Sequence, residues 1–325
     1  MFRAIKEMHL RGAPLIGIAA AYGVYLAARK ARRSKDFREK IDSSILQLKE
    51  ARPTAVNLNW ALEQQKKVLK KANHEDEAVA MLLENANKMA DEDVAMCRSI
   101  GENGLKIIQE ISSRKKKGEP VNILTHCNAG WLAAVDWGTA LSPVYQAQSA
   151  KTKIHVWVNE TRPRNQGANL TAWELVNQKI PHTIITDNAG GLLMQQGKVD
   201  LVLVGCDRLT ARGDAVNKIG TYLQALAAHA NQVPFFVALP TSSIDWKMKS
   251  VFEEAVIEER DVNEIKSVRG KSSFGLTQVQ IAPDESTASN YAFDITPAKY
   301  ITGFITERGI CTASEEGLKR LFPDK

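Results

Sequence analysis

From residue 121 onward, short and almost unbroken apolar runs alternate with segments of helical pattern. The run 121–125 is followed by a helix-like 129–146, and 154–158 by 170–178. The run 183–186 is followed by 190–196, and 201–205 by 218–230, before 235–239 closes the series. Strand and helix alternating at this spacing build βαβ units, which close only as a parallel sheet with helices on both faces. Strands buried on both faces carry no polar alternation, and these runs show none. The predicted fold class is α/β, with a Rossmann-like, doubly wound sheet over 118–325.

The chain before that sheet reads differently. Phe37, Ile41, Ile45 and Leu48 recur at helical spacing within 36–49, and 61–71 and 76–111 continue the pattern. The stretch Ser113-Arg114-Lys115-Lys116-Lys117-Gly118, followed by Glu119-Pro120, ends it. A charged run closing on Gly and Pro marks a domain boundary, so 1–117 is predicted to be a mainly helical N-terminal domain. The whole chain's length of 325 residues suits two domains.

Charge and composition narrow the function. Lys and Arg number 43 against 37 acids, a net +6. That excess admits an anionic small substrate without calling for nucleic acid, and the lysine run has no interleaved aromatics. The apolar stretch 13–28 follows Arg3, Lys6 and Arg11 as a signal peptide would. However, Arg29, Lys30, Arg32 and Arg33 stand where a cleavage site is small and neutral. The stretch is also shorter than the roughly 20 residues of a membrane span. It is predicted to be a buried helix of a cytoplasmic protein with no membrane partner. Cys97, Cys127, Cys206 and Cys311 are scattered without a CxxC pair, against a disulfide framework or zinc ribbon.

In an open parallel sheet, ligands bind beyond the carboxyl ends of the strands. All five predicted strands end in polar, charged or Gly-rich sequence: His126-Cys127-Asn128, then 159–167, then Asp187-Asn188, then Cys206-Asp207-Arg208, then Pro240-Thr241-Ser242-Ser243. Cys127 ends one run ahead of a predicted helix, whose N-terminus would favour a thiolate. A free buried cysteine is also commonly inert. His126 and Cys127 are adjacent in extended chain and point to opposite faces, against a Cys–His nucleophile pair. Asp207 is either a helix cap or a buried carboxyl acting as a proton donor. No G-x-G-x-x-G follows the first run, no P-loop sequence occurs, and the six histidines form no H-E-x-x-H. These absences argue against a nicotinamide cofactor, nucleotide hydrolysis and a catalytic metal. Arg11 ahead of Gly12-Ala13-Pro14, with Arg162, Arg164, Gln166, Asn217 and Lys218, suits a phosphate.

Several motifs occur together and in order. They include 11–23 (Arg-Gly-Ala-Pro-Leu-Ile-Gly-Ile-Ala-Ala-Ala-Tyr-Gly), 52–58 (Arg-Pro-Thr-Ala-Val-Asn-Leu) and 125–130 (Thr-His-Cys-Asn-Ala-Gly). Further along stand 160–167 (Glu-Thr-Arg-Pro-Arg-Asn-Gln-Gly), 205–208 (Gly-Cys-Asp-Arg), 213–222 (Gly-Asp-Ala-Val-Asn-Lys-Ile-Gly-Thr-Tyr) and 293–297 (Phe-Asp-Ile-Thr-Pro). In these the chain resembles the methylthioribose-1-phosphate isomerases. That family shares its superfamily with ribose-1,5-bisphosphate isomerases and with the regulatory subunits of eukaryotic initiation factor 2B.

The resemblance implies an aldose–ketose isomerisation of a sugar 1-phosphate in methionine salvage, by a homodimer without metal or cofactor. It places catalytic roles on Cys127 and Asp207, and phosphate and sugar contacts on Arg11, Gly12, Ala13, Arg52, Gln166, Asn217 and Lys218. The same isomerisation on 5-deoxyribose 1-phosphate or ribose 1,5-bisphosphate, or a non-catalytic regulatory subunit, are the alternatives. Trp131, Asp136 and Trp137 depart from the family pattern after the cysteine motif, and Cys206 stands where a small residue belongs. The family carries a further segment before the Arg11 motif, which implies either a later start or an incomplete first domain.

Overall fold

A computed structural model describes residues 1–52, 55–248 and 257–324. Pro53 and Thr54 of the 52–58 motif lie outside the described residues. The chain opens with helices α1 (Phe2–Lys6), α2 (Ala13–Ala31), α3 (Phe37–Ala51), α4 (Val56–Leu69) and α5 (Glu75–Arg114). The apolar stretch that imitates a leader forms α2. It is central: Ala20, Ala21, Val24 and Ala28 are fully buried, and small side chains let α3, α4 and α5 approach it closely. Gln65 of α4 ties the bundle together by donating from Nε2 to the carbonyls of Ala21 and Leu82, both at 3.0 Å.

α5 has 40 residues and is therefore about 60 Å long. Glu75, Asp76 and Glu77 in its first turn complement the positive end of its dipole. Its first half buries Ala78 and Leu82 among the other helices. Its second half buries Ile100 and Ile108 against the sheet. One rigid helix thus joins the two halves of the molecule.

The sheet strands are β1 (Val121–Thr125), β2 (Ile154–Asn159), β3 (His182–Ile185) and β4 (Leu201–Val204), with β5 (Arg208–Thr210) and β6 (Ala215–Lys218) following. Then come β7 (Phe235–Ala238), β8 (Ile244–Asp245), β9 (Ser267–Ser272), β10 (Gly275–Gln280), β11 (Phe293–Thr296), β12 (Gly303–Thr306) and β13 (Gly309–Thr312). The main sheet is seven-stranded in the order β3-β2-β1-β4-β7-β12-β13, parallel except for the β12–β13 hairpin. Chain order runs outward in one direction from β1 and in the other from β4, so the switch point lies between those two strands. Helices α6 (Ser142–Ser149) and α7 (Ala172–Asn177) follow β1 and β2, and α8 (Ala189–Gln195) and α9 (Thr221–Ala230) follow β3 and β6. A second, four-stranded sheet in the order β11-β6-β5-β8 stands beside the carboxyl end of β4. Among the described residues, no helix is long and apolar enough to cross a membrane.

Two expectations need correction. The helix expected over 129–146 is a loop with one 3₁₀ turn, Trp131–Ala133, and α6 begins only at Ser142. The helix expected from residue 218 begins at Thr221, because Lys218 ends β6. Beyond these, β9 pairs antiparallel with β10 in an exposed hairpin.

Candidate active site

Two loops leave the sheet at its switch point. β1 runs into His126-Cys127-Asn128, and β4 into Gly205-Cys206-Asp207. Where strand order reverses, adjacent loops part and leave a crevice for a ligand. One cavity there is lined by Cys127 and Asp207, by Arg11, Gly12 and Ala13 from the start of α2, and by Asn217 from β6.

Cys127 has backbone φ of 65°, the left-handed region that non-glycine residues rarely adopt. Its surroundings hold it there. The Cys127 N–H donates to Thr161 Oγ1 at 2.9 Å, and Thr171 Oγ1 donates to its carbonyl at 2.7 Å. This bend sends the sulfur to 3.5 Å from Arg11 Nη2 and 3.6 Å from Gln166 Oε1. No helix starts at Cys127, so the expected helix-terminus effect on its thiol is withdrawn, and the nearby cation is the Arg11 side chain. His126 turns the other way. Asn159 Nδ2 stands 3.0 Å from its Nδ1, and its Nε2 lies 2.7 Å from the Ile219 carbonyl. Burial depresses its pKa against the pull of Asp187, and these partners suit the neutral ring.

Asp207 caps no helix. Its N–H donates to the Val216 carbonyl at 3.0 Å, and β5 starts at the next residue. Burial raises its carboxyl above the ordinary range, against the opposing charges of Lys218, Arg52 and Arg11. Lys218 is itself lowered by burial, opposed by Cys127 and Asp207. Its Nζ donates to the Ala292 carbonyl at 2.9 Å and lies 4.9 Å from the centre of the Phe293 ring. Asn217 Nδ2 donates to Thr221 Oγ1 at 3.1 Å. Cys206 is buried with its sulfur 3.0 Å from the Arg208 carbonyl, and burial pushes its thiol far up, so it packs as an apolar neighbour.

The helical half supplies the rest. Gly12 is the N-cap of α2 with φ of 96°, and a Cβ there would meet the Ala133 carbonyl at 2.4 Å. No side chain caps this helix, and Gly12, Ala13 and Pro14 at its start line the cavity. Arg11 Nη1 donates to the Asn128 carbonyl at 2.9 Å and to Asn128 Oδ1 at 2.5 Å. Its Nε is buried without a partner among the described residues. Arg52 is buried, 3.1 Å from Glu258, and this acid continues through Arg260 and Glu264 to Arg164. Burial raises the Glu264 carboxyl, but Arg260 and Arg164 outweigh it and hold the group at about 2.

The structure therefore gathers Arg11, Gly12, Ala13, Cys127, Gln166, Asp207 and Asn217 directly. Arg52 and Lys218 reach the same centre through their charges on Asp207. A wider cavity opens on the far side of Arg11, between Leu10, Leu15, Trp131, Leu132, Pro163 and Gln166. The two residues that pin Cys127, Thr161 and Thr171, were given no role by the sequence reading. Thr161 stands inside the 160–167 motif and Thr171 just beyond it, so position was the one signal they offered.

The model of the Initiation factor 2 subunit family matches residues 9–313. Methylthioribose-1-phosphate isomerase of Brucella anthropi is 54% identical over 323 residues, 99% of this chain and 87% of the relative. The protein of that name from Desulfosudis oleivorans is 50% identical over 326 residues, 100% and 88% of the two chains. Among solved structures, 5-methylthioribose 1-phosphate isomerase from Pyrococcus horikoshii is 40% identical with a TM-score of 0.83, covering 100% of this chain and 87% of that one. The delta subunit of translation initiation factor 2B from A. fulgidus is 38% identical with a TM-score of 0.79, covering 99% and 90%. With the family model spanning nearly all of it and relatives sharing half its residues end to end, this chain belongs to the initiation factor 2 subunit family.

Proposed function

We propose that this chain is an aldose–ketose isomerase that converts 5-methylthioribose 1-phosphate to 5-methylthioribulose 1-phosphate. The observation that carries the reading is the meeting of Cys127 and Asp207 in one cavity at the switch point, in a chain half identical to isomerases of that name. The uncapped first turn of α2, Arg11 with its unpartnered Nε, Arg52 and Lys218 suit the substrate phosphate.

The chemistry asks for these residue types. A sugar 1-phosphate has its anomeric oxygen esterified, so its ring cannot open as a free hemiacetal does. Burial raises Asp207 and so favours its acid form, which donates to the ring oxygen as the bond to C1 breaks. Positive charge grows at C1, and a hydride moves from C2 to C1. The C2 hydroxyl then loses its proton and becomes the ketone. Cys127 lies beside that centre, where its thiolate stabilises the developing positive charge or takes up the proton.

The test supplies purified protein with methylthioribose 1-phosphate, 5-deoxyribose 1-phosphate and ribose 1,5-bisphosphate separately, and measures ketose phosphate. Turnover is expected with the first, falling about 10²–10⁴-fold in Cys127→Ser. No turnover with any of the three, from folded protein, would favour a regulatory subunit. Loss of a C2 deuterium to solvent during turnover would replace the hydride shift by an enediolate.

The active unit is a homodimer in the cytoplasm. Exposed Ile184, Leu192 and Leu223 on β3, α8 and α9 support a partner face, and four free cysteines support a reducing compartment. Light scattering on the eluted protein should give twice the chain mass; a monomer at micromolar concentration would refute this.

A further inference from the structure

One buried acid has no place in the chemistry above. Glu174 lies on the short helix α7 with no exposed surface. Its two carboxylate oxygens take four donors. Oε1 accepts from Asn128 Nδ2 at 2.9 Å and from the Leu132 N–H at 3.1 Å. Oε2 accepts from the Trp131 N–H at 3.1 Å and from the Tyr145 hydroxyl. Three of these donors belong to the loop that leaves Cys127.

The bond to Asn128 has a directional consequence. An amide presents a donor on one side and an acceptor on the other. With Nδ2 held by Glu174 at 2.9 Å and, more loosely, by Thr171 Oγ1 at 3.2 Å, Oδ1 must face Arg11, and it does so at 2.5 Å from Nη1. The second terminal nitrogen of Arg11 then lies 3.5 Å from the Cys127 sulfur. Were the amide turned over, its NH₂ would face the guanidinium and repel it. The chain Glu174–Asn128–Arg11–Cys127 is therefore polarised from one end. Burial raises the Glu174 carboxyl, and the donors from Tyr145, Asn128, Leu132 and Trp131 oppose this.

We infer that Glu174 is a positioning residue for the isomerisation: through Asn128 it fixes Arg11 beside the Cys127 sulfur. This rests on the function proposed above, but its test does not need turnover. In Glu174→Gln, the new NH₂ sits best against Tyr145, whose hydroxyl can turn to accept it. At that position it also faces the Trp131 N–H, which loosens the loop that carries Asn128, and the acceptor left to Asn128 is a neutral amide oxygen.

The experiment follows iodoacetamide labelling of Cys127 at pH 7 by peptide mass, in wild type, Glu174→Gln, Asn128→Ala and the double variant, each checked for cooperative unfolding. Cys127 labelling in Glu174→Gln is expected to fall about tenfold, as Arg11 leaves the sulfur. Asn128→Ala should match it, and the double variant should be no slower than the slower single, because both sit in one chain. In the isomerase assay, kcat should fall with KM changed less than about threefold. Glu174→Asp, which keeps the charge, should recover part of the labelling rate. Labelling within twofold of wild type in folded Glu174→Gln would overturn the inference, as would additive losses in the double variant. Should Glu174→Gln not fold, Asn128→Ala carries the same expectation, and unchanged labelling there overturns it equally. A wild type labelled normally but without turnover would fault the proposed activity and leave this inference standing.

Discussion

Asp207 shows what burial does to one residue. Its carboxyl stands at the end of an apolar strand, and removing it from water disfavours its charge by more than Lys218, Arg52 and Arg11 restore. A raised acid keeps its proton at lower pH and loses it as pH climbs through the raised value. The proposed ring-opening step should therefore fail on the alkaline side. We expect kcat/KM of the wild type to decline there, and Asp207→Asn to be slower by about 10²–10⁴-fold with that decline abolished. A pH–rate profile of both proteins checks this; an alkaline limb surviving in the variant would assign it to another group. That Cys127 and Asp207 stand at one edge of the sheet was legible from sequence, because both follow apolar strands of a parallel sheet. The left-handed backbone at Cys127 was not, since it comes from two threonines more than 30 residues away.

At the scale of elements, the loop 129–141 is the instructive case. Its residues Ala129, Trp131, Leu132, Ala133, Ala134 and Val135 read as helix, but the amides a helix would bond internally are taken elsewhere. Glu174 of α7 holds those of Trp131 and Leu132, and Asp93 of α5 holds that of Val135 at 2.9 Å. Local propensity is a weak prior against buried carboxylates from two other elements. Asp93 bears a cost for this. Burial raises its carboxyl to about 6, opposed by the Val135 amide. Between about pH 4 and 6 the folded state binds more protons than the unfolded one, so this residue's contribution to stability declines as pH rises through that window. Asp93→Asn keeps an acceptor for Val135 and cannot ionise. It should be more stable than wild type above pH 6, by up to about 2–3 kcal/mol, with the gap closing below pH 4. Urea unfolding from pH 4 to 8 measures this; parallel curves across the range would exclude it.

The whole molecule completes its site by laying the helical half over the sheet's carboxyl edge. Asn57 of α4 is buried, donates to Ser242 Oγ at 2.9 Å and accepts from Ser243 Oγ at 3.2 Å. These serines follow β7, so α4 is fastened to the same edge that carries Cys127 and Asp207. Asn57→Ala leaves two serine hydroxyls to find other partners and should cost about 1–2 kcal/mol. We expect kcat/KM to drop about tenfold, mostly in KM, because Arg11, Gly12 and Arg52 ride on the helical half. Unfolding curves and steady-state kinetics decide it; wild-type KM in the variant would mean the halves are held by other contacts.

The order of apolar runs, the break near Pro120 and the motif set made the α/β class, five of the parallel strands and the family readable from the chain. Those features are local: a buried strand is apolar whatever lies beside it, and polar residues after it mark its functional end. The second sheet, the β12–β13 edge, the unwound 129–141 and the polarised chain from Glu174 to Cys127 were not readable. Each depends on groups distant in sequence supplying hydrogen bonds or charge at one point. Such pairings exist only once long-range packing has removed water and left every buried donor in need of an acceptor. The residue types were set by the sequence; which way Asn128, Arg11 and Cys127 face was decided by the fold.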